Sequence, residues 1–399
     1  MKRYVIVGNG VAGATAAKKI REMDGEGSVA VFSSETDPFY YRPRLPDYIA
    51  GAVDLPKFTL QGPGWYAARR ISLHLGETVN AVDLAKREAA TDKGTVAPFD
   101  ALLLAAGARS FIPPVPGADK AGVFALRSAE DARAIAQRAG QVKKAVLIGG
   151  GLLGLEAGYG LTRLGLKVQV VEFFDRLLPR QMDPAGALKL QHILEGMGFV
   201  FYLGARAKEI FGGAAAEGLA LEDGQRIEGG LVLFSAGIRP NLDLARQMGL
   251  EVDKGVKVDD RLATSRDGVW AAGDLIEHQG RVYGIWPAAQ AQGEVAGTNM
   301  AGGEAVYQGT VMSNSLKVVG VDLTSAGEID PDGKLASAVY ETETAYRKIV
   351  VDQGRIVGLI FFGLTEGLKA CQAAMSKGTD VSRLLEDLRR ADFDFNRLN

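Results

Sequence analysis

Val5-Ile6-Val7-Gly8-Asn9-Gly10-Val11-Ala12-Gly13 opens the chain, and Val146-Leu147-Ile148-Gly149-Gly150-Gly151-Leu152-Leu153-Gly154 repeats its plan in the middle. Each stretch is an apolar strand that runs into G-x-G-x-x-G and then into a helical pattern. The first glycine lets the strand turn sharply. The second lets the backbone approach a pyrophosphate, and the third lets the new helix pack on the strand. The helix N-terminus then aims free N–H groups and partial positive charge at the phosphates. The next strand of each unit leads to an acid able to accept hydrogen bonds from a ribose. Ser28 to Ser34 runs into Glu35, 27 positions after Gly8, and Val168 to Val171 runs into Glu172, 23 positions after Gly149. One such loop is weak evidence, because a tight strand-to-helix turn without a ligand uses the same glycines. Two loops, each with its acid, predict two dinucleotides on one protein and electron transfer between them.

The 399 residues suffice for two or three domains, and 47% hydrophobic with 24% charged residues and 51 glycines suits an α/β chain rich in turns. Lys+Arg 46 against Asp+Glu 48 leaves a net charge of −2, which argues against nucleic acid as a main partner. Met1-Lys2-Arg3 before an apolar run imitates a leader peptide. The glycine spacing and the following Lys18, Lys19 and Arg21 read instead as strand, loop and helix. No apolar run approaches the ~18 residues of a membrane span. Cys371 is the only cysteine, so no internal disulfide or zinc–thiolate site is expected, and His74, His192 and His278 lack metal-ligand spacing. The expected location is cytoplasmic.

The first unit is expected over residues 1–112. It contains the loop Pro38-Phe39-Tyr40-Tyr41-Arg42-Pro43-Arg44-Leu45-Pro46, an alternating strand at Thr78 to Asp83, and a buried strand at Ala101 to Leu104 that leads into Ala105-Ala106-Gly107. Pro113 to Gly117 reads as a linker. The second unit, 113–237, closes on Leu231 to Gly237 followed by Ile238, an echo of Ala101 to Gly107. A further strand, Val269 to Ala272, ends in Gly273-Asp274, and a helix is expected from Trp286 with Pro287 in its first turn. Residues 238–308 are assigned back to the first unit. Residues 309–399 form a small α+β domain with a hairpin turning at Asp352-Gln353-Gly354 and a helical tail. The fold class is therefore α/β, with two Rossmann-like dinucleotide-binding domains plus a small C-terminal α+β domain.

Together these motifs resemble the two-dinucleotide flavoprotein fold of the glutathione-reductase type, over essentially the whole chain. The resemblance implies an FAD site at Gly8, Gly10, Val11, Ala12, Gly13 and Glu35. It extends that site to Val79 at the adenine, Ala105-Ala106-Gly107 where the family has Ala-Thr-Gly, and Gly273-Asp274 at the ribityl chain. It implies an NADH site at Gly149, Gly151, Leu152, Leu153, Gly154, Glu156, Glu172, Gly237 and Ile238. Tyr41 to Leu45 and Asn314 to Gly320 look most like NADH:rubredoxin reductases, which are close to the flavin domain of assimilatory nitrite reductases. That likeness implies Arg42 near the FAD pyrophosphate or flavin, and Trp286 to Gln290 as a helix start at the pyrimidine end of the flavin.

The departures from the family pattern separate the subfamilies. Disulfide reductases of this fold carry a Cys-x4-Cys pair after the first acid, and NADH oxidases and peroxidases a single redox cysteine. This chain has no cysteine between Glu35 and Gly64, so no thiol there can relay electrons. Relatives that reduce iron–sulfur proteins often have a lysine after the Arg-Pro-x-Leu stretch that pairs with a glutamate behind the second loop. Here Glu156 is present, Pro46-Asp47 occupies the lysine's place, and Lys57 is the nearest lysine. Trp286 reads as packing, and Cys371 as core filler in an amphipathic helix. The expected function is an FAD-dependent NADH oxidoreductase. Hydride passes to the flavin, which then delivers electrons to a small iron-containing carrier of the rubredoxin kind or to another redox protein. No protein acid or base is needed, and a homodimer is allowed. The alternatives are an NADH oxidase that reduces oxygen, a flavin module of a nitrite reductase system, or a non-catalytic sensor of the NADH/NAD ratio.

Overall fold

The strand Arg3–Val7 is buried at every residue after its first. A strand apolar on both faces is stable inside a parallel sheet covered on both sides. It lies in a five-stranded sheet ordered Val269–Ala271, Ala101–Leu104, Arg3–Val7, Ser28–Ser33, Ile71–Leu75, and every pair in it is parallel. The computed structural model describes residues 1–310 and 320–398 in full and 313–318 as the backbone of a strand. The side chains of Asn314 to Val319, which carry part of the resemblance, lie outside the described residues.

The second sheet repeats the plan, in the order Val123–Ala125, Leu231–Phe234, Lys144–Ile148, Lys167–Val171, Val200–Tyr202, again all parallel. Val7 stands level with Phe32 and Leu104, and Ile148 with Val171 and Phe234. Both glycine loops therefore leave their sheets at the carboxyl edge between neighbouring strands, where ligands of such sheets bind. The echo extends further than the sequence indicated, since each sheet also carries a three-stranded antiparallel meander.

Gly107 at φ +62° and Gly237 at φ +89° turn the chain off the two corresponding strands. The residues that follow pair as an antiparallel ribbon, Ala108–Ser110 with Ile238–Pro240. The linker at Pro113 to Gly117 then runs along the second meander, where Ile210 donates to the Pro116 carbonyl at 2.8 Å. The helix Trp286–Met300 crosses the first loop helix Val11–Met23 closely. A Cβ on Gly293 would stand 2.5 Å from the Ala12 carbonyl oxygen, and one on Gly297 2.8 Å from that of Ala16.

The C-terminal sheet is antiparallel, ordered Ser313–Val318, Val321–Gly327, Arg355–Phe362, Tyr346–Asp352, Ala336–Glu341. Its expected hairpin turns on Gln353 and Gly354 at φ +47° and +74°, the two positive values that a two-residue loop of this twist demands. Along Arg355–Phe362, Leu359 and Phe361 face the helix Leu368–Lys377 and its Cys371, while Ile360 and Phe362 face Leu177, Leu178 and Leu190 of the second unit. The helical tail begins with the helix Leu368–Lys377. Gly378 at φ +64° ends the helix, Thr379 donates back to Ala374, and only short 3-10 turns follow.

Candidate functional site

The first and third glycines of each loop are required by packing. A Cβ on Gly8, which has φ +112°, would meet the Ala105 carbonyl oxygen at 2.2 Å, and one on Gly13 the Gly8 carbonyl oxygen at 1.9 Å. In the second loop a Cβ on Gly149 would meet Ser235 O at 2.4 Å, and one on Gly154 the Gly149 oxygen at 2.8 Å. The middle glycines differ. Gly10 has nothing within 4 Å of its Cβ position, and Gly151 has only Ser235 atoms at 3.9 and 4.0 Å. Each caps its helix without a side-chain hydrogen bond, and neither first turn contains an acid. The free N–H groups of Val11, Ala12 and Gly13, and of Leu152, Leu153 and Gly154, thus face open space suited to a pyrophosphate.

Further features of the first loop fit a dinucleotide. Asn9 is buried, its Oδ1 accepts from Tyr66 at 2.6 Å, and its Nδ2 has no partner among the described residues, which leaves a buried donor free for a ligand at this cleft. Asn9, Ser33, Glu35, Tyr40 and Arg42 line one small cleft. Glu35 accepts from Tyr40 Oη at 2.5 Å and pairs with Arg42, and a carboxylate so engaged keeps lone pairs for a ribose. Arg42 also donates to the Arg127 carbonyl, and the Arg127 guanidinium reaches Asp274 at 2.7 Å. Glu35, Arg42, Arg127 and Asp274 therefore form one chain of contacts that starts at the cleft, and Arg127 was not found from the sequence. Ala105 donates to the Val7 carbonyl, while the Ala106 and Gly107 carbonyls accept from Asn241, so this turn backs the first loop. Gly273 donates to Gln292 at 2.8 Å, and a Cβ on it would stand 3.2 Å from that of Ala12. Val79 is buried on the first meander. Trp286 stacks with Phe39 and meets Tyr41 edge-on, which is packing at the start of its helix.

In the second loop, Glu172 is buried and accepts from Gly150 N–H at 2.6 Å and from Phe174 N–H at 2.9 Å. Leu153 is exposed, and so is the aromatic pair Phe173 and Phe174 that follows Glu172. Gly237 and Ile238 lie at the ribbon joining the two units, across from Ser110. Glu156, one turn into the second loop helix, has an oxygen shut from solvent and without a partner among the described residues, and burial, with Asp47 nearby, pushes its carboxyl up to about 7. The helix Leu45–Ile49 packs on this helix so closely that a Cβ on Gly160 would stand 2.7 Å from the Pro46 carbonyl. Asp47 there pairs with Arg44 and Arg163. Lys57 is exposed and pairs with Asp54, so it offers nothing to Glu156. A wider groove lined by Leu188, His192, Glu341 and Thr344 is built from the helix Pro184–Gly196 and the C-terminal sheet, and includes neither loop.

Cys371 is fully buried on the helix side of the C-terminal sheet, and burial holds its thiol up at about 12. Alkylating reagents applied to the native protein are expected to leave this thiol unmodified and electron transfer unchanged. Mass spectrometry with a parallel assay checks both, and rapid labelling with loss of activity contradicts the expectation.

Residues 2–293 match the family described as pyridine nucleotide-disulphide oxidoreductase, and residues 313–379 match the rubredoxin NAD+ reductase C-terminal domain. The chain belongs to the pyridine nucleotide-disulphide oxidoreductase family. The cofactors of that family are FAD and NADH, and within it the chain is similar to rubredoxin reductases and nitrite reductases. It is 38% identical over 96% of its length to a nitrite reductase [NAD(P)H] of Bacillus subtilis, of which it covers 48%. It is 33% identical over 82% of its length to an NADH oxidase of Methanocaldococcus jannaschii, of which it covers 76%. The crystal structure of NADH:rubredoxin oxidoreductase from Clostridium acetobutylicum superposes with a TM-score of 0.83 at 26% identity, covering 97% of this chain and 98% of that one. The chain spans half or less of the length of the nitrite and nitrate reductase relatives it matches. No helix among the described residues is long and apolar enough to cross a membrane.

Proposed function

We propose that residues 1–112 and 238–308 hold FAD, that residues 113–237 hold NADH, and that electrons leave the flavin directly for a small one-electron iron carrier of the rubredoxin kind. Residues 309–399 are the third unit of this division. When bound, FAD would supply the redox chemistry that links a two-electron hydride donor to a one-electron acceptor. The protein supplies position and field. The Gly8 to Gly13 loop and Glu35 hold the adenosine half of FAD, with Val79 at the adenine and Ala105 to Gly107 behind the loop. Asp274, kept in place by Arg127, serves the ribityl chain. The free start of the helix Trp286–Met300 favours negative charge at the flavin. The Gly149 to Gly154 loop and Glu172 hold the coenzyme. The observation that carries direct transfer is sulfur chemistry: the sole thiol is buried in the C-terminal core and ionises far above neutral pH.

Steady NADH oxidation with added rubredoxin, and little with oxygen alone, is the expected result. Robust turnover with oxygen alone favours the oxidase reading, which the relative from Methanocaldococcus jannaschii supports. Turnover only with a nitrite reductase partner favours the module reading, which the Bacillus subtilis relative supports. NADH is expected to bleach the flavin faster than NADPH, because the Glu172 carboxylate repels a 2′-phosphate and the neighbouring Arg176 is paired with Asp175 at 3.0 Å. Anaerobic stopped-flow absorbance compares the two, and faster reduction by NADPH refutes this preference.

A further inference from the structure

The segment 172–183 touches the second phosphate loop at one end and the C-terminal sheet at the other. Glu172 takes the Gly150 N–H, Leu178 N–H points back to the Gly150 carbonyl at 3.4 Å, and Leu177 lies 2.8 Å from where a Gly150 Cβ would stand. Leu178 is fully buried at φ +49°, a left-handed backbone that a leucine rarely adopts. Such a conformation persists only where its surroundings over-determine it. Gln181 and Met182 both donate to the Leu178 carbonyl at 2.9 Å, and Asp183 follows. Asp183 caps the next helix through Gly186 N–H at 3.0 Å. Its other oxygen receives Tyr346 Oη at 2.6 Å and Lys348 Nζ at 3.2 Å, both from the C-terminal sheet. Lys348 Nζ also donates to the Asp330 carbonyl at 2.7 Å, and all of these side chains are buried. A buried ion pair is poor economy for stability alone but well suited to fixing one geometry.

We propose that Tyr346 and Lys348 are positioning residues for the coenzyme: through Asp183 they fix the segment 172–183, and with it the Gly150 loop, in the shape that binds NADH. This rests on the assignment of the second loop to NADH. The C-terminal sheet thereby sets coenzyme affinity without touching the coenzyme.

The test uses the full-length, FAD-loaded protein titrated calorimetrically with ADP-ribose, which carries the adenosine and pyrophosphate but cannot react. Tyr346→Phe and Lys348→Met are expected to weaken ADP-ribose binding about five- to tenfold. They raise KM for NADH by the same factor and leave kcat unchanged. Lys189→Met is the control. It removes a 2.6 Å bond to the Thr342 carbonyl and a 3.9 Å ion pair with Glu341 across the same interface, neither of which involves the segment 172–183, so both constants should stay at the parental value. Equal weakening by Lys189→Met reduces the effect to general domain fastening and overturns the proposal. Unchanged ADP-ribose affinity in Tyr346→Phe does so too. If Lys348→Met fails to retain FAD, the neutral pair Asp183→Asn with Lys348→Met takes its place. Gly151→Val separates the two levels of inference, because its backbone suits valine and its Cβ has room. Parental ADP-ribose binding in Gly151→Val removes the assignment of the loop itself. Loss of binding there, with no effect of Tyr346→Phe, removes only the role of the C-terminal residues.

Discussion

Gly13→Ala is expected to destabilise the fold and abolish FAD retention, whereas Gly10→Ala should keep the fold and lose FAD. The added methyl at Gly13 would stand 1.9 Å from the Gly8 oxygen and 3.3 Å from Ile6 Cγ2. Neither neighbour can retreat, because Gly8 N–H is bonded to the Phe32 carbonyl at 2.8 Å and Ile6 is wholly buried. Overpacking against fixed backbone costs about 3 kcal/mol or more, and the helix whose first turn should face the pyrophosphate must move away from its strand. Gly10 has φ −85° and ψ −166°, open to any residue, and nothing within 4 Å of its Cβ position. An alanine there costs the chain little, but its methyl occupies the approach reserved for phosphate oxygens. Thermal melting of the apoprotein and flavin content after gel filtration check the pair. A Gly10→Ala protein that keeps its full complement of FAD contradicts the assignment, and a Gly13→Ala protein that melts like the parent contradicts the packing.

Glu156→Gln is expected to flatten the pH dependence of stability. Burial, reinforced by Asp47, raises this carboxyl to about 7 in the folded protein, against 4.5 for an ordinary glutamate. Between those values the folded state holds a proton that the unfolded chain releases. Stability from this group is therefore fully present below pH 4.5 and is lost as pH rises through 7. At 1.36 kcal/mol per pH unit the loss is about 3 kcal/mol at most. Glutamine cannot ionise, so the variant should match the parent near pH 4.5 and melt above it at pH 8. Parallel melting curves for the two proteins from pH 5 to pH 8 would show that Glu156 is ionised in the fold.

The sequence was most informative where chemistry is local. Both glycine loops, the acids that follow them, Gly273-Asp274 and the Asp352-Gln353-Gly354 turn need particular backbone shapes within a few residues, and each stands where spacing put it. Arg127 was not legible, since it meets Asp274 across 147 positions and nothing around it marks an arginine as special. Lys348 read only as part of a strand and Tyr346 lay before it, although their polar ends converge on Asp183 from another sheet. The segment 172–183 has no periodic pattern, so its attachment to Gly150 emerges only when the sheet is assembled. The helical tail was legible at Leu368 to Met375, and Gly378 in left-handed conformation ends that helix.

The ribbon of Ala108–Ser110 against Ile238–Pro240 has a practical corollary for protein engineering. Because Ser110 lies opposite Ile238, the intervening stretch departs and returns through a single doorway. It behaves topologically as an insert that could be excised and its stumps spliced by a short bridge. A transplant of that insert from a relative with different coenzyme taste would, however, have to bring along the matching terminal sheet that grips Asp183.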